Sequence, residues 1–92
     1  MKYEKQTTRH YKQDLKLMER RGKDLRKLDA IVALLCEGEP LDPKYRDHQL
    51  AGNLKNFREC HIEPDWLLIY MIKNEELILV LTRTGTHSDM RF

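Results

Sequence analysis

The chain has 92 residues, with 17 Lys+Arg against 15 Asp+Glu, four His and two Cys. This length predicts one domain over residues 1–92 with one small core, and 40% hydrophobic against 35% charged residues excludes a disordered tail. The longest apolar run, Trp66 to Ile72, is far short of the ~18–20 residues of a spanning helix, and Met1–Gln6 has no apolar signal region, so neither a membrane partner nor a secretory route is expected.

Residues 3–7 are predicted to form a short strand. Thr8 is a fitting N-cap for a helix to about Arg21, where Tyr11, Leu15 and Met18 make a narrow apolar stripe on a basic rod. Gly22 stops it, and a second helix is predicted from about Lys23 to Glu37. Its apolar face is broad: Leu25, Leu28, Ile31, Val32, Leu34 and Leu35. Pro40-Leu41-Asp42-Pro43 breaks the helical period, and residues 44–56 read as polar and irregular. From Phe57 to Glu63 the period becomes two. Phe57, Glu59, His61 and Glu63 point one way; Arg58, Cys60 and Ile62 point the other. After Pro64-Asp65, Trp66 to Ile72 reads as a strand buried on both faces, and Leu77 to Thr82 as another. Helices first and strands later predict an α+β fold, with a helical pair on one face of a small antiparallel sheet and the opposite face holding a site.

Charge is unevenly spread. Residues 1–29 hold ten basic and five acidic residues; residues 30–92 hold seven basic and ten acidic. A basic first third suits a polyanion partner, although a solvated helical surface has the same composition. Cys36 and Cys60 are too few for a disulfide framework and are expected reduced, as in the cytoplasm.

The chemistry concentrates in the second half. His48, His61, Asp65, Arg83 and His87 converge if the strands carrying them are neighbours. Cleaving RNA without a metal needs a base for the 2′-OH, an acid for the leaving 5′-oxygen and a cation for the charged phosphorane. Histidine serves as acid or base because its ordinary pKa of ~6.5 lies near neutrality. Asp65 serves as a base or holds a histidine charged, and the planar donors of Arg83 match phosphate oxygens. Lys44 and Arg46 supply charge for a phosphate backbone; Trp66, Tyr70 and Phe92 are candidate stacking surfaces for a base. No metal or other cofactor is expected. Cys60 and His61 are adjacent on a strand, point to opposite faces, and do not share an ion.

Three stretches carry a resemblance: Asp47-His48-Gln49-Leu50-Ala51-Gly52, Arg58-Glu59-Cys60-His61-Ile62-Glu63-Pro64-Asp65-Trp66-Leu67-Leu68-Ile69-Tyr70, and Arg83-Thr84-Gly85-Thr86-His87-Ser88. In this order, and over essentially the whole length, the chain resembles the YafQ-type branch of the RelE/ParE toxin superfamily. The resemblance implies a toxin of a type II toxin–antitoxin system that cuts mRNA in the ribosomal A site without metal, with an antitoxin as protein partner. It implies catalytic roles for His48, His61, Asp65, Arg83 and His87, with His87 as general acid and Asp65, helped by His48 or His61, as base. It implies a site-wall role for Trp66. Where such toxins commonly carry an aromatic near the C-terminus this chain has Arg91, with Phe92 next to it. Two other readings stay open on sequence: a protein-docking module on the same fold, and a ribosome-independent RNase.

Overall fold

The computed structural model describes residues 2–90. Its elements run β1 (Glu4–Thr7), α1 (Arg9–Arg20), α2 (Leu25–Cys36), β2 (His48–Gln49), β3 (Arg58–Glu63), β4 (Trp66–Lys73) and β5 (Ile78–Gly85), with 3-10 turns at Pro43–Tyr45 and Gly52–Leu54. Arg91 and Phe92, two of the expected RNA contacts, lie outside the described residues.

Local chemistry explains the helix ends. The Thr8 hydroxyl accepts from the Tyr11 N–H at 3.0 Å and donates to the Thr82 carbonyl at 2.7 Å, so one side chain caps α1 and pins it to β5. Past the end of α1, Gly22 takes φ +81°. This lets Lys23 N–H reach Met18 O and Gly22 N–H reach Glu19 O, both at 3.0 Å, which satisfies carbonyls that the helix leaves open. Asp24 then caps α2 through the Arg26 N–H.

The strands form one sheet in the order β1-β5-β4-β3-β2. Three pairings are antiparallel, but β1 runs parallel to β5. The sheet is therefore mixed rather than purely antiparallel. No hairpin joins β1 to β5; both helices lie between them, so a reversal is not imposed.

Alternation divides β4 between two apolar clusters. Trp66, Leu68 and Tyr70 face the helices and pack with Met18, Leu28, Ile31, Leu35, Cys60, Leu79 and Leu81. Leu67 and Ile69 face away and pack with Met90, Leu50 and Phe57. The first cluster is the main core. Truncating one of its leucines to alanine is expected to cost ~2–5 kcal/mol.

Two bulges interrupt the alternation. In β5, Tyr70 pairs with Leu81 while Ile69 pairs with Arg83, leaving Thr82 as an extra residue. Arg83 is thereby placed on the outer face with Ile69 rather than on the helix side with Leu81. In β3 the register slips between His61 and Glu63. Glu63 turns to the helices, bonding Lys23 at 3.1 Å and Lys27 at 2.9 Å, and does not share the face of His61 as the period-two reading had it.

Candidate active site

The outer face of the sheet gathers the histidines. Strand pairing sets His48 opposite Glu59 and His61 opposite Leu67. His87 follows β5 in a turn. The rings of His48 and His61 are 6.5 Å apart between centroids, and those of His61 and His87 are 5.7 Å apart. Three imidazoles thus form a row across the sheet.

Each imidazole has a different setting. The Oδ1 of Asp65 accepts from the His87 backbone N–H at 2.9 Å and meets His87 Nδ1 at 2.5 Å. This fixes the ring with Nε2 pointing away from the carboxylate. The same contacts, the backbone one first, hold the Asp65 carboxyl below the usual carboxylate range, so it stays anionic. His48 places Nδ1 2.6 Å from the Arg46 carbonyl and Nε2 3.7 Å from Glu59. Arg46 adopts φ 50°, an uncommon conformation for a side-chain-bearing residue, and that turn carries the carbonyl used by His48. His61 is half-buried, and its Nδ1 is buried without a hydrogen-bond partner among the described residues. Burial pushes its pKa below the ordinary imidazole value, with Glu59 opposing and His87 reinforcing the shift.

Arg83 lies on the same face but is held from the side. Asp14 of α1 receives Arg83 Nε at 2.8 Å and Nη2 at 3.2 Å, and also the Thr84 N–H at 3.1 Å. Asp14 is buried. The pair uses two of the five guanidinium N–H groups, leaving three for another anion. Among the described residues no hydrogen bond joins Arg83 to the three histidines. Lys44 and Arg46 are exposed beside the row, and Lys44 Nζ sits 5.1 Å from the Tyr45 ring centroid.

Two expected stacking surfaces are not available. Trp66 is fully buried, its indole N–H bonded to Thr84 Oγ1 at 2.9 Å. It belongs to the core, because β4 directs it toward the helices. Tyr70 is buried on the same side, and its hydroxyl donates to Asp47. Cys60 is buried on the opposite face from His61, with its thiol pushed up to about 12 by burial. Among the described residues no three His, Cys, Asp or Glu side chains gather as a metal site.

Asp14 and Glu59 were missed in the sequence. Glu59 had a signal, since alternation set it on the face of His61. Asp14 had none: it reads as one of two acids on a basic helix.

Comparison with known proteins agrees with this geometry. A family model described as the YafQ bacterial toxin of type II toxin–antitoxin systems matches residues 3–91. The mRNA interferase toxin YafQ of Escherichia coli strain K12 is 43% identical over 79 residues, covering 85% of this chain and 84% of that protein. A metal-bound toxin from Helicobacter pylori has a fold with TM-score 0.91 at 45% identity, covering 99% of this chain and 100% of that one. The E. coli DinJ–YafQ complex gives TM-score 0.89 at 35% identity, covering 98% and 99%. The partly buried Asp14–Arg83 pair and the imidazole row thus sit on the scaffold shared by these proteins, and the chain belongs to the YafQ family of bacterial toxins from type II toxin–antitoxin systems.

Proposed function

We propose that this toxin is an mRNA endoribonuclease that acts in the cytoplasm on messages presented in the ribosomal A site, and that an antitoxin protein restrains it. The observation that carries the reading is the row His48–His61–His87 with His87 fixed by Asp65.

His61 is the better base. Its depressed pKa keeps it neutral near pH 7. It takes the 2′-OH proton, the 2′-oxygen bonds to phosphorus, and the P–O5′ bond breaks. His87 gives its proton to the departing 5′-oxygen, with Asp65 orienting the ring and stabilising its positive charge. This departs from the sequence-based assignment of Asp65 as base: its Oδ1 is taken by His87, and an anion so stabilised is a weaker proton acceptor. In this scheme His48, beyond His61 in the row and with Nδ1 on the Arg46 carbonyl, holds the attacking hydroxyl. The N–H groups of Arg83 not used by Asp14 bind the phosphate oxygens in this scheme, and Lys44 and Arg46 hold the flanking backbone. The products are a 2′,3′-cyclic phosphate, which opens to a 3′-phosphate, and a 5′-OH. Every proton has a donor and an acceptor in side chains, so the scheme is metal-independent.

Support for the substrate and partner comes from relatives. The E. coli protein is named an mRNA interferase, and it forms a complex with DinJ. The test maps mRNA 5′ ends in a translating extract with wild type and His87→Ala. Wild type is expected to give cuts in register with the reading frame, unaffected by excess EDTA; the variant gives none. Equal cutting of naked RNA points to a ribosome-independent nuclease, and no cutting with wild type points to a docking toxin. Since a relative was crystallised with metal bound, loss of cutting with EDTA would overturn the metal-free scheme.

A further inference from the structure

β2 pairs only with Arg58 and Glu59, so the last residues of β3 lack a strand on that side. In its place is a groove of about 560 Å³ between α2, the 3-10 turn Pro43–Tyr45 and the end of β3. Ala30, Ile31 and Ile62 make its apolar part; Lys27, Lys44, Tyr45 and Arg46 make its rim. His61 lines the groove as well, so the groove reaches the middle imidazole of the row.

The electrostatics are one-sided. Glu63 is the one acid in the lining, and its carboxylate is already taken by Lys23 and Lys27. Lys44 and Arg46 have no carboxylate partner among the described residues. The half-buried Tyr45 ring borders the groove, with Lys44 Nζ over it at 5.1 Å from the centroid. An aromatic ring, an apolar floor and unpaired cations suit a base and its phosphate, and the volume lies within the ~300–1,000 Å³ usual for small-molecule sites.

We propose that this groove seats the nucleotide next to the scissile phosphate of an RNA substrate, with the base against Tyr45 and the adjoining phosphate on Lys44 and Arg46. The inference rests on the nuclease reading and adds to it. The protein itself, apart from any ribosome, grips one nucleotide there. An acidic protein segment is the competing occupant; continuity with His61 favours RNA.

The test uses the full chain and a fluorescent mixed-sequence hexanucleotide with 2′-deoxyribose throughout, which cannot be cut. Binding is read by anisotropy. Ala30→Trp fills the groove from the exposed side of α2, and Tyr45→Ala removes the ring. Both are expected to weaken binding about tenfold, while Tyr45→Phe binds as wild type. Thermal melting identifies any variant that fails to fold, and the Tyr45 pair then decides. Unchanged binding in Tyr45→Ala and in folded Ala30→Trp overturns the proposal. So does an Ala30→Trp protein that loses its antitoxin but keeps the hexanucleotide, because the groove is then a protein site. The same variants are run in a translating extract. Full mRNA cutting by Ala30→Trp sinks the subsite and leaves the nuclease standing; no cutting by wild type sinks both.

Discussion

The two faces of the sheet use the same strands for opposite ends. On the helix side, Trp66, Leu68 and Tyr70 are buried among apolar neighbours, and the two polar tips have partners in Thr84 and Asp47. On the outer side, Leu67 and Ile69 make a small apolar floor under imidazoles and charges, and His61 keeps a buried nitrogen unpaired. Residues adjacent in sequence are thus separated by role. Satisfied groups give stability on the helix side, while the outer side keeps the unpaired nitrogen of His61 and the positive-φ turn at Arg46. Changes on one face should therefore alter folding, and changes on the other should alter activity.

The largest expected effect is His87→Ala. It should reduce mRNA cutting about 10²–10⁴-fold, with little change in melting temperature because the ring is exposed. A large drop in melting temperature would break the division between faces. Next, Trp66→Ala should cost ~3–5 kcal/mol of stability in urea unfolding. Trp66→Phe, which retains most of the buried ring, should keep activity; lost cutting in a folded Trp66→Phe protein would return Trp66 to the site.

Asp14→Asn tests where the faces meet, since Asp14 holds Arg83 from the side. The expected result is kcat lower by roughly 10–100-fold from misplaced phosphate contacts, with a smaller change in KM. A loss of stability with kcat intact would make the pair purely structural.

The pH profile is a finer probe. Burial lowers the His61 pKa, so its neutral form survives below pH 6.5 and the acid limb of cutting should fall at lower pH than that ordinary value. His61→Ala should remove this limb. An acid limb above pH 6.5 argues against His61 as base. The smallest effect concerns Asp89, which bonds Arg21 and Thr86 beside His87 and is held at about 2, below its ordinary 3.8. A depressed carboxyl contributes stability above the unfolded value and loses it as pH falls through about 2. Solvent screens the pair with Arg21, so less than about 1 kcal/mol is expected. Asp89→Asn should flatten the melting temperature of the chain between pH 4 and 2 relative to wild type, with the pH window set by the shift from 3.8 to about 2.

How much of this was legible in sequence follows from what periodicity encodes. The Thr8 cap, the Gly22 stop, the alternation through Cys60 and His61, and the broad face of α2 are local patterns, and they read correctly except for Leu34, which is exposed rather than part of that face. The bulges at Thr82 and after His61 are not local: each depends on which residue of a neighbouring strand takes the hydrogen bonds. That is why Glu63 was set on the wrong face, and why Trp66, read beside the Asp65 of its motif, was mistaken for a wall of the site. The Asp14–Arg83 pair spans 69 residues and leaves no trace in either segment alone. The histidines of the proposed site were visible as motifs, but the contact of Asp65 with His87 and the burial of His61 needed the structure.

The Thr8–Thr82 hydrogen bond closes a span of 74 residues, close to the 69 that separate Asp14 from Arg83. Contacts this distant in sequence form late, because the intervening chain must first be ordered. On a ribosome making this protein, the helices emerge early with nothing to hold. Asp14 waits for Arg83, and Asp65 waits for His87. The residues of the proposed site are thus joined by contacts that close late. The proposed site comes together only once the chain through His87 has been made.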